Sequence, residues 1–356
     1  NIFKSVNFKT KDINDLNKVI DLTVEEKPTG ELFAGAGTGT NGTTVSFGVR
    51  ENNYLGKGVL VDTNANIAAD SIKGKFFLEN PNYKNSDKSV NLSIEASELD
   101  RLSGQGYKSN KTGFSLGTKF EYYDDLFFGI SLENFVEKVT VNNNASSKQK
   151  KNAGNFFDSF VGLDFNYDKR NQKFATTDGF FSNYSVDIPV FSETGTLKNT
   201  YNYKVFSELY ENNVSTASIL LKSSFSINDN DIKLSERLFI PGNRLRGFER
   251  GKVGPKDGSD FIGGNYLTAF NLTTSIPKLL ENSQTVDFVA FFDAANIWGV
   301  DYDKSIDEKN DLRSSIGLGI NWMTVIGPLS FSYAEPLSKN ETDIIEKFRF
   351  NLGTTF

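Results

Sequence analysis

Apolar and polar residues alternate along most of this chain. Residues 126–132 place Leu126, Phe128, Ile130 and Leu132 on one face. Because successive side chains of a β-strand point to opposite faces of a sheet, this two-residue period predicts strands. The same period recurs at residues 43–51, 159–168 and 314–322, and turn-forming residues separate the segments.

The alternating segments number about sixteen, an even count as in single-chain bacterial barrels. Their second faces carry charges and glycines, which suits a wide, wet interior better than the dry core of a soluble sandwich. Tight turns such as 123–125 alternate with the long polar connections 141–153, expected to be a solvated loop, and 228–263. The pattern therefore predicts an all-β protein, with a 16-stranded antiparallel transmembrane β-barrel at residues 30–356.

Alternation alone does not exclude a soluble two-domain protein. Composition favours the barrel. Only 38% of the residues are hydrophobic, and the mean hydropathy is -0.39. No apolar run approaches the ~18 residues that a transmembrane helix needs. Aromatic residues make up 13% of the chain, with 32 Phe and 13 Tyr. This enrichment is typical of the lipid-facing rows and girdles of an outer-membrane barrel, and it favours that fold.

The chain contains no Cys and no His. Their absence excludes thiolate chemistry, Ser-His-Asp hydrolysis and His-ligated zinc, and we predict neither an enzyme nor a cofactor. The 39 basic and 45 acidic residues give a net charge of -6, which argues against a nucleic-acid partner. Short acidic runs such as Asp124–Asp125 are interpreted as solvated turns rather than cation sites.

Residues 1–29 differ from the rest of the chain. Segments 2–8 and 19–25 alternate on either side of a polar stretch, and Pro28 and Gly30 then break the pattern. Two strands are too few to bury a core of their own. Residues 1–29 are therefore interpreted as the C-terminal end of a separate domain together with its linker.

Two further segments narrow the type of barrel. Residues 245–248, Leu-Arg-Gly-Phe, lie near the middle of the long connection about 228–263. At the other segment, the C-terminus, an apolar face ends at an aromatic final residue, which suits the last strand of a membrane barrel. The residues on that face are Phe348, Phe350, Leu352 and Phe356.

These segments and several others resemble the BamA family, the bacterial outer-membrane protein assembly factors. The resemblance covers nearly the whole chain, from the end of that family's last POTRA domain through its barrel. The segments that carry it are residues 3–6, 24–30, 51–58, 245–248, 251–254, 263–265, 291–298, 327–336 and 350–356. Each segment is weak alone, but their order and spacing are specific.

The resemblance implies a role in membrane-protein assembly. Residues 1–29 would be the C-terminal end of the last POTRA domain, an α+β domain in the periplasm, and residues 30–356 a barrel in the outer membrane of a Gram-negative bacterium. The implied activity is the folding and insertion of nascent β-barrel proteins. The implied partners are those nascent outer-membrane proteins, accessory lipoproteins of the Bam complex bound through POTRA domains, and outer-membrane lipid and lipopolysaccharide.

The resemblance also implies a lock between the long loop and the barrel wall. In this family the loop folds back into the lumen, where the arginine of an Arg-Gly-Phe motif meets an aspartate on a neighbouring strand. Arg246, Gly247 and Phe248 match the motif, and Asp293 matches the aspartate. From the residues alone, Arg246 is better explained as a solvated loop charge. Many members carry a further acidic residue where this chain has Thr273, so fewer partners are expected for Arg246.

Function in the family is thought to lie at a lateral seam between the first and last strands. The residues predicted to form it are Glu31, Phe33, Gly35 and Gly37 in the first strand, and Phe350, Asn351, Gly353 and Phe356 in the last. The many glycines of the first strand predict weak pairing, and Gly353 predicts an inward kink. An alternative interpretation is that these glycines only allow close packing or barrel curvature.

Two other functions remain open from the sequence. A polypeptide secretion pore of the related two-partner type, or another translocase of the same superfamily, would share the barrel. A diffusion porin would share its polar lumen. The loop and seam segments resemble the assembly factors more closely, and the two predicted strands within residues 1–29 disfavour a porin.

Overall fold

Sixteen antiparallel strands close into a barrel in the computed structural model of this protein. The structure describes residues 3–14, 17–210, 213–277, 285–303, 306, 311–324 and 327–353. The prediction of an all-β, 16-stranded antiparallel barrel is confirmed. Strands that are neighbours in the barrel follow one another along the chain. A long connection separates the eleventh and twelfth barrel strands.

The strands are numbered in chain order. They are β1 (Phe3–Asn14), β2 (Asn17–Glu26), β3 (Gly30–Gly39), β4 (Gly42–Tyr54), β5 (Val59–Ala68), β6 (Ser71–Asn80), β7 (Ser89–Arg101), β8 (Tyr107–Tyr123), β9 (Leu126–Val141), β10 (Gly154–Asp168), β11 (Gly179–Phe191), β12 (Thr196–Tyr210), β13 (Asn213–Ser226), β14 (Gly247–Phe248), β15 (Lys256–Asp257), β16 (Asp260–Phe261), β17 (Tyr266–Ser275), β18 (Val286–Trp298), β19 (Arg313–Thr324), β20 (Gly327–Ser338), β21 (Ile345–Glu346) and β22 (Phe348–Leu352). β3–β13, β17–β20 and β22 form the barrel, while β1 pairs with β2, β14 with β21, and β15 with β16.

The helical segments are short. They are the α-helical turns α1 (Leu102–Gln105) and α2 (Ser147–Lys151) and the 3-10 turns Tyr83–Asn85, Leu234–Glu236 and Gly242–Arg244. Among the described residues, no helix is long and apolar enough to cross a membrane. α2 lies in the connection expected to be a solvated loop. There the backbone N–H of Gln149 donates to Ser146 Oγ at 3.1 Å, and Gln149 is only 1% exposed. This capping box orders part of the tract.

The barrel wall follows the alternation that predicts it. In β4, Val45, Phe47 and Val49 are exposed on the outer face, while the intervening Ser46 is buried and donates to Asn66 Oδ1 on β5 at 2.6 Å. Apolar side chains outside and polar side chains inside are the arrangement that a lipid-facing barrel requires. The outer face is therefore a membrane-contacting surface.

Aromatic rings form a row around part of the outer wall. Phe120, Phe128, Phe165 and Tyr184 come from the consecutive strands β8, β9, β10 and β11. Their ring centroids are 5.6, 4.9 and 6.4 Å apart in that order. The row lies toward the end of the barrel with the tight β8–β9 turn, where aromatic girdles occur in membrane barrels.

β1 and β2 form a separate two-stranded antiparallel sheet. Val6 lies opposite Val24 and Phe8 opposite Leu22, and all four side chains are exposed on one face. The interpretation of residues 1–29 as the end of a POTRA domain stays a prediction.

The barrel closes between its last strand and its first, β22 and β3, which together we call the seam. In the described residues, Asn351 lies opposite Gly39 and Leu352 opposite Thr38. Thr40 adds three bonds to Phe350: its N–H and its Oγ1 donate to the Phe350 carbonyl oxygen at 3.0 and 3.3 Å, and its Oγ1 accepts the Phe350 N–H at 2.9 Å. On its other side β22 pairs with β20 along its whole length. Within the described residues, the ladder that joins β22 to β3 is therefore short.

Gly353 ends the described ladder of the seam. Its φ of +86° is in the region that favours glycine. A Cβ at this position would clash with the Ala36 carbonyl oxygen and lie 3.0 Å from Gly37 Cα. Only glycine lets the chain come this close to β3.

We expect Gly353→Ala to weaken barrel closure more than Gly258→Ala. Both positions have positive φ, which costs an L-residue roughly 1–2 kcal/mol, but a Cβ at Gly258 would meet nothing within 4 Å. The measurement is the temperature at which the folded barrel loses its heat-modifiable mobility on a denaturing gel. Equal lowering by the two substitutions would contradict a steric role for Gly353.

Candidate functional site in the lumen and at the seam

Residues 228–263, which we call the lumenal loop, run from β13 toward β17 and fold into the barrel. Apolar side chains of the loop pack against inward-facing residues of the wall. The buried residues of this cluster are Leu220, Ile240, Leu245, Phe248, Val253, Leu267, Ala269, Ala295 and Ile297. The loop therefore gives the barrel an apolar core that the polar wall alone would lack.

Arg246 of the loop forms a bidentate ion pair with Asp293 of β18. Arg246 Nε donates to Asp293 Oδ2 and Nη2 to Oδ1, each at 2.7 Å. The Arg246 backbone N–H also donates to Asp293 Oδ2, at 3.0 Å. The Asp293 side chain is 0% exposed and that of Arg246 is 19% exposed. Shielded bidentate pairs of this kind are among the stronger charge-assisted hydrogen bonds.

The ion pair lies on one rung of the barrel sheet. Asn271 of β17 and Ser315 of β19 lie directly opposite Asp293 on its two sides. Asn271 Nδ2 donates to Asp293 Oδ1 at 2.8 Å, and Ser315 Oγ donates to the Arg246 carbonyl oxygen at 2.6 Å. Three adjacent strands therefore contribute side chains that fix one loop residue.

Two further residues complete the surroundings of the Arg246 guanidinium. Its carbon lies 3.4 Å from the centroid of the Phe291 ring, two residues before Asp293 on the same strand face. Arg246 Nη2 lies 3.4 Å from Thr273 Oγ1. A hydroxyl thus stands where many relatives are expected to have a carboxylate, and it makes only a long contact.

Gly247 and Phe248 continue the loop as strand β14. Gly247 has a φ of +90°, and a Cβ there would lie 3.2 Å from the Ala334 Cβ. Gly247 pairs with Glu346 and Phe248 with Ile345 of β21. The Phe248 side chain is fully buried in the lumenal cluster. The motif residues therefore attach the loop to β18 on one side and to the segment before β22 on the other.

Alternation did not identify Arg244, a second loop arginine in the lumen. Its Nη1 donates to Ser218 Oγ at 2.7 Å, and its Nη2 donates to Asn202 Oδ1 at 2.8 Å. Asn271 Nδ2 donates to the Arg244 carbonyl oxygen at 2.9 Å as well as to Asp293. The inward position of these polar residues follows from the two-residue period, but their partner in the loop does not.

The start of the loop is held by buried charges on another part of the wall. Lys233 Nζ lies 2.5 Å from Asp158 Oδ2 and 3.2 Å from Glu137 Oε2, with its side chain 1% exposed. Glu236 Oε2 accepts from Thr196 Oγ1 at 2.6 Å. These contacts tie the loop to β9, β10 and β12. The two-residue period does not predict this cluster, whose only sequence trait is acidic residues at inward positions of β9 and β10.

The seam residues of the first strand lie in β3. Glu31 and Phe33 are exposed, Gly35 is partly buried and Gly37 is buried. None of these four is paired with β22 in the described part of the seam, whose ladder lies at Thr38 and beyond. The ladder lies farther along β3 than residues 31–37 because β22 ends where Gly353 leaves the extended conformation.

The last strand contributes the other half of the seam. Phe350 is on the outer face, and Asn351 lies opposite Gly39. Gly353 lies against β3, as described above. Phe356, also predicted to belong to the seam, lies outside the described residues.

A closed barrel with an apolar, aromatic outer wall and a long loop in its lumen is an outer-membrane β-barrel of the loop-filled class. The chain belongs to the Omp85 superfamily, since the family profile described as the Omp85 superfamily domain matches residues 53–356. The match includes the lumenal loop, Asp293 and β22.

Curated relatives carry the name outer membrane protein assembly factor BamA. The protein from Neisseria meningitidis serogroup B is 24% identical over 404 residues, covering 98% of this chain and 49% of that protein. The protein from Neorickettsia risticii is 22% identical over 365 residues, covering 99% of this chain and 49% of that protein. This chain thus spans about half the length of these relatives.

Solved structures show the same fold. The crystal structure of BamA from Haemophilus ducreyi lacking POTRA domains 1–3 matches with a TM-score of 0.87 and 23% identity, covering 100% of this chain and 76% of that chain. CdiB from Acinetobacter baumannii matches with a TM-score of 0.61 and 11% identity, covering 99% and 66%. The resemblance to the BamA family is confirmed.

We expect Arg246→Gln to destabilise the barrel by about 3–5 kcal/mol, because it leaves the Asp293 carboxylate buried without its counter-charge. The control is Lys73→Gln. Lys73 pairs with Glu95 on the adjacent strand at 3.0 Å, but the two side chains are 47% and 36% exposed, and the loss of this pair should cost about 0–1 kcal/mol. Urea unfolding in lipid vesicles measures both.

The charge-swapped variant tests whether the pair itself matters. Arg246→Glu should be at least as harmful as Arg246→Gln, and adding Asp293→Arg should restore part of the loss. Restoration should be incomplete, because Asn271 donates to the carboxylate at Asp293. Equal stability of Arg246→Glu and the unmodified protein would contradict the idea that this ion pair locks the loop to the barrel wall.

Proposed function

We propose that this protein folds nascent β-barrel proteins and inserts them into the outer membrane, by templating their strands at the seam. The observation that carries the proposal is the short ladder between β3 and β22, confined in the described residues to Thr38–Gly39 and Leu352–Asn351 with three hydrogen bonds between Thr40 and Phe350. By contrast, β3 pairs with β4 along its full length.

The physical reason is the cost of an unpaired strand edge in lipid. Backbone N–H and C=O groups that lack partners in hydrocarbon cost several kcal/mol each, so they strongly favour pairing with any available strand. Residues 31–34 of β3 are exposed and lie beyond the described ladder of the seam. A client strand would add to this edge by β-augmentation, gaining backbone hydrogen bonds whatever its side chains.

The length of β22 supports a second part of the proposal, local disturbance of the bilayer. β22 has 5 described residues, whereas β8 has 17. At about 3.3 Å per residue, five residues span roughly 17 Å, less than the ~30 Å of a typical hydrocarbon core. A thinner bilayer beside the seam would lower the barrier to inserting a client.

The proposed partners follow from this activity and from the relatives' name. They are nascent outer-membrane proteins at the seam, outer-membrane lipid and lipopolysaccharide around it, and accessory lipoproteins of the Bam complex bound through POTRA domains. β1 and β2 would be the end of the last POTRA domain. The proposed activity makes and breaks hydrogen bonds only, so it needs neither an enzyme's catalytic residues nor a cofactor, and no nucleic acid takes part.

A polypeptide secretion pore is the second candidate, because a translocase of the same superfamily would share this barrel. Export through the lumen would require the lumenal loop to leave it. That movement would break the buried Arg246–Asp293 and Lys233–Asp158 pairs together. Templating at the seam leaves both pairs intact, and we therefore favour it.

The seam can be tested by a disulfide, since the chain contains no Cys. Thr38 and Leu352 lie directly opposite each other, and opposite Cβ atoms are close enough for a disulfide. In the complete protein with its POTRA domains and lipoproteins, oxidation of Thr38→Cys, Leu352→Cys should abolish client assembly. Reduction should restore it.

The matched control joins two strands away from the seam. Phe47→Cys and Ala65→Cys would link β4 to β5 at a directly opposite pair, and oxidation there should leave assembly unchanged. Full client assembly with the seam oxidised would reject templating at the seam. It would move the function to the lumen and favour the secretion pore.

A further inference from the structure

We propose that Arg349 couples the position of the lumenal loop to the last strand, so that the loop controls how readily the seam opens. The inference rests on the proposed function, since it assigns a positioning residue to the seam. It concerns the inner side of β22, whose partner in the lumenal loop neither alternation nor the motif residues identify.

Arg349 is the second residue of β22 and points into the lumen, with the residue 6% exposed. Its Nη1 donates to the Gly242 carbonyl oxygen at 2.6 Å, and its Nη2 donates to the Phe248 carbonyl oxygen. Its Nε donates to Glu346 Oε2 at 2.5 Å. The guanidinium therefore bridges two backbone positions of the loop and holds them against β22.

The two carbonyls that Arg349 binds flank the lock. Gly242 and Phe248 lie on either side of Arg246, which is fixed to Asp293 of β18. A shift of the loop away from Asp293 would therefore displace both acceptors of Arg349. The guanidinium, with its planar fork of donors, transmits such a shift better than a single flexible ammonium would.

A backbone ladder supports the same link. β14 pairs with β21, which directly precedes β22, and the Glu249 N–H donates to the Ile344 carbonyl oxygen at 2.8 Å. The loop thus binds the chain just before β22 through its backbone and binds β22 itself through Arg349. β22 thus has two sets of partners. The loop and β20 hold it on one side, and β3 pairs with it across the seam on the other.

The seam is the weaker of these attachments. Its described ladder joins β22 to β3 at two residue pairs, with Thr40 beside them. Because β22 is short and Arg349 lies next to Phe350 and Asn351, a displacement of Arg349 moves the seam residues directly. The loop thereby sets the alignment of β22 with β3, and the Arg246–Asp293 pair acts on the seam through Arg349.

The experiment measures seam alignment without any client. In purified Thr38→Cys, Leu352→Cys protein in lipid vesicles, the rate of disulfide formation reports how often the two strands are aligned. We expect Arg349→Gln to slow this rate about tenfold, a typical size for coupling between two sites. Arg349→Lys keeps the charge and one donor direction, and it should restore part of the rate.

The control is another arginine of the wall. Arg101 pairs with Asp70 and is largely buried, but no described hydrogen bond joins it to the lumenal loop or to β22. Arg101→Gln should therefore leave the rate unchanged, although it removes an ion pair. Only folded protein, judged by its heat-modifiable mobility, is counted for each variant.

A double-mutant cycle tests the coupling itself. Arg246→Gln alone should slow disulfide formation, since it releases the loop from Asp293. In the Arg349→Gln background it should have little further effect, because the link to β22 is already broken. Additive effects would mean that the loop and Arg349 act independently, and they would overturn the proposal.

The outcomes separate this inference from the proposed function. An unchanged rate in Arg349→Gln would overturn the coupling and leave seam templating standing. A slowed rate together with unchanged client assembly in the complete protein would support the coupling and count against templating at the seam. A slowed rate with slowed assembly would support both.

Discussion

The buried Arg246–Asp293 pair is the interaction on which the arrangement of the lumen depends. Asp293 is fully buried, and a carboxylate there is tolerable only with its charge balanced and its oxygens hydrogen-bonded. The guanidinium and the backbone N–H of Arg246, together with the Asn271 amide, provide this. Because both the charge and the N–H come from the loop, the wall is satisfied only when the loop is inside. The pair thus specifies one position of the loop as well as stabilising it.

With the loop in this position, its side chains fill the lumen, which the wall of a wide barrel cannot fill alone. Sixteen strands enclose more space than wall side chains can fill, and the inner faces here are largely polar. The loop brings Leu245, Phe248 and Val253 against Leu267 and Ile297 of the wall. The apolar core of this protein is therefore built between the loop and the wall, and a second cluster packs Leu234 and Ile262 of the loop against Tyr107 and Val139 of β8 and β9. Lys233 fastens the start of the loop to β10.

The sequence predicts the strands far better than it predicts the lumen. Alternation reports which face a side chain occupies, so it correctly places Asp293 inward and Phe350 outward. It carries no information on which distant segment meets that face. Only the family resemblance predicts a partner for Arg246. Nothing in the sequence predicts one for Arg349, whose acceptors Gly242 and Phe248 lie about a hundred residues earlier. α2 was missed because its cap, Ser146 with Gln149, lies within a tract whose composition is that of a solvated loop.

A weak seam is possible only because the rest of the molecule is strongly held. Each backbone hydrogen bond contributes about 0.5–1.5 kcal/mol net, so a ladder as short as that at Thr38 and Gly39 could not close a barrel that lacked other support. The fully paired remaining strands and the filled lumen keep the barrel circular without it. The seam is then free to be the place where pairing is incomplete. In lipid, incomplete pairing is an unfavourable state that a third strand can relieve, and the proposed strand exchange at the seam would draw on this free energy without a nucleotide.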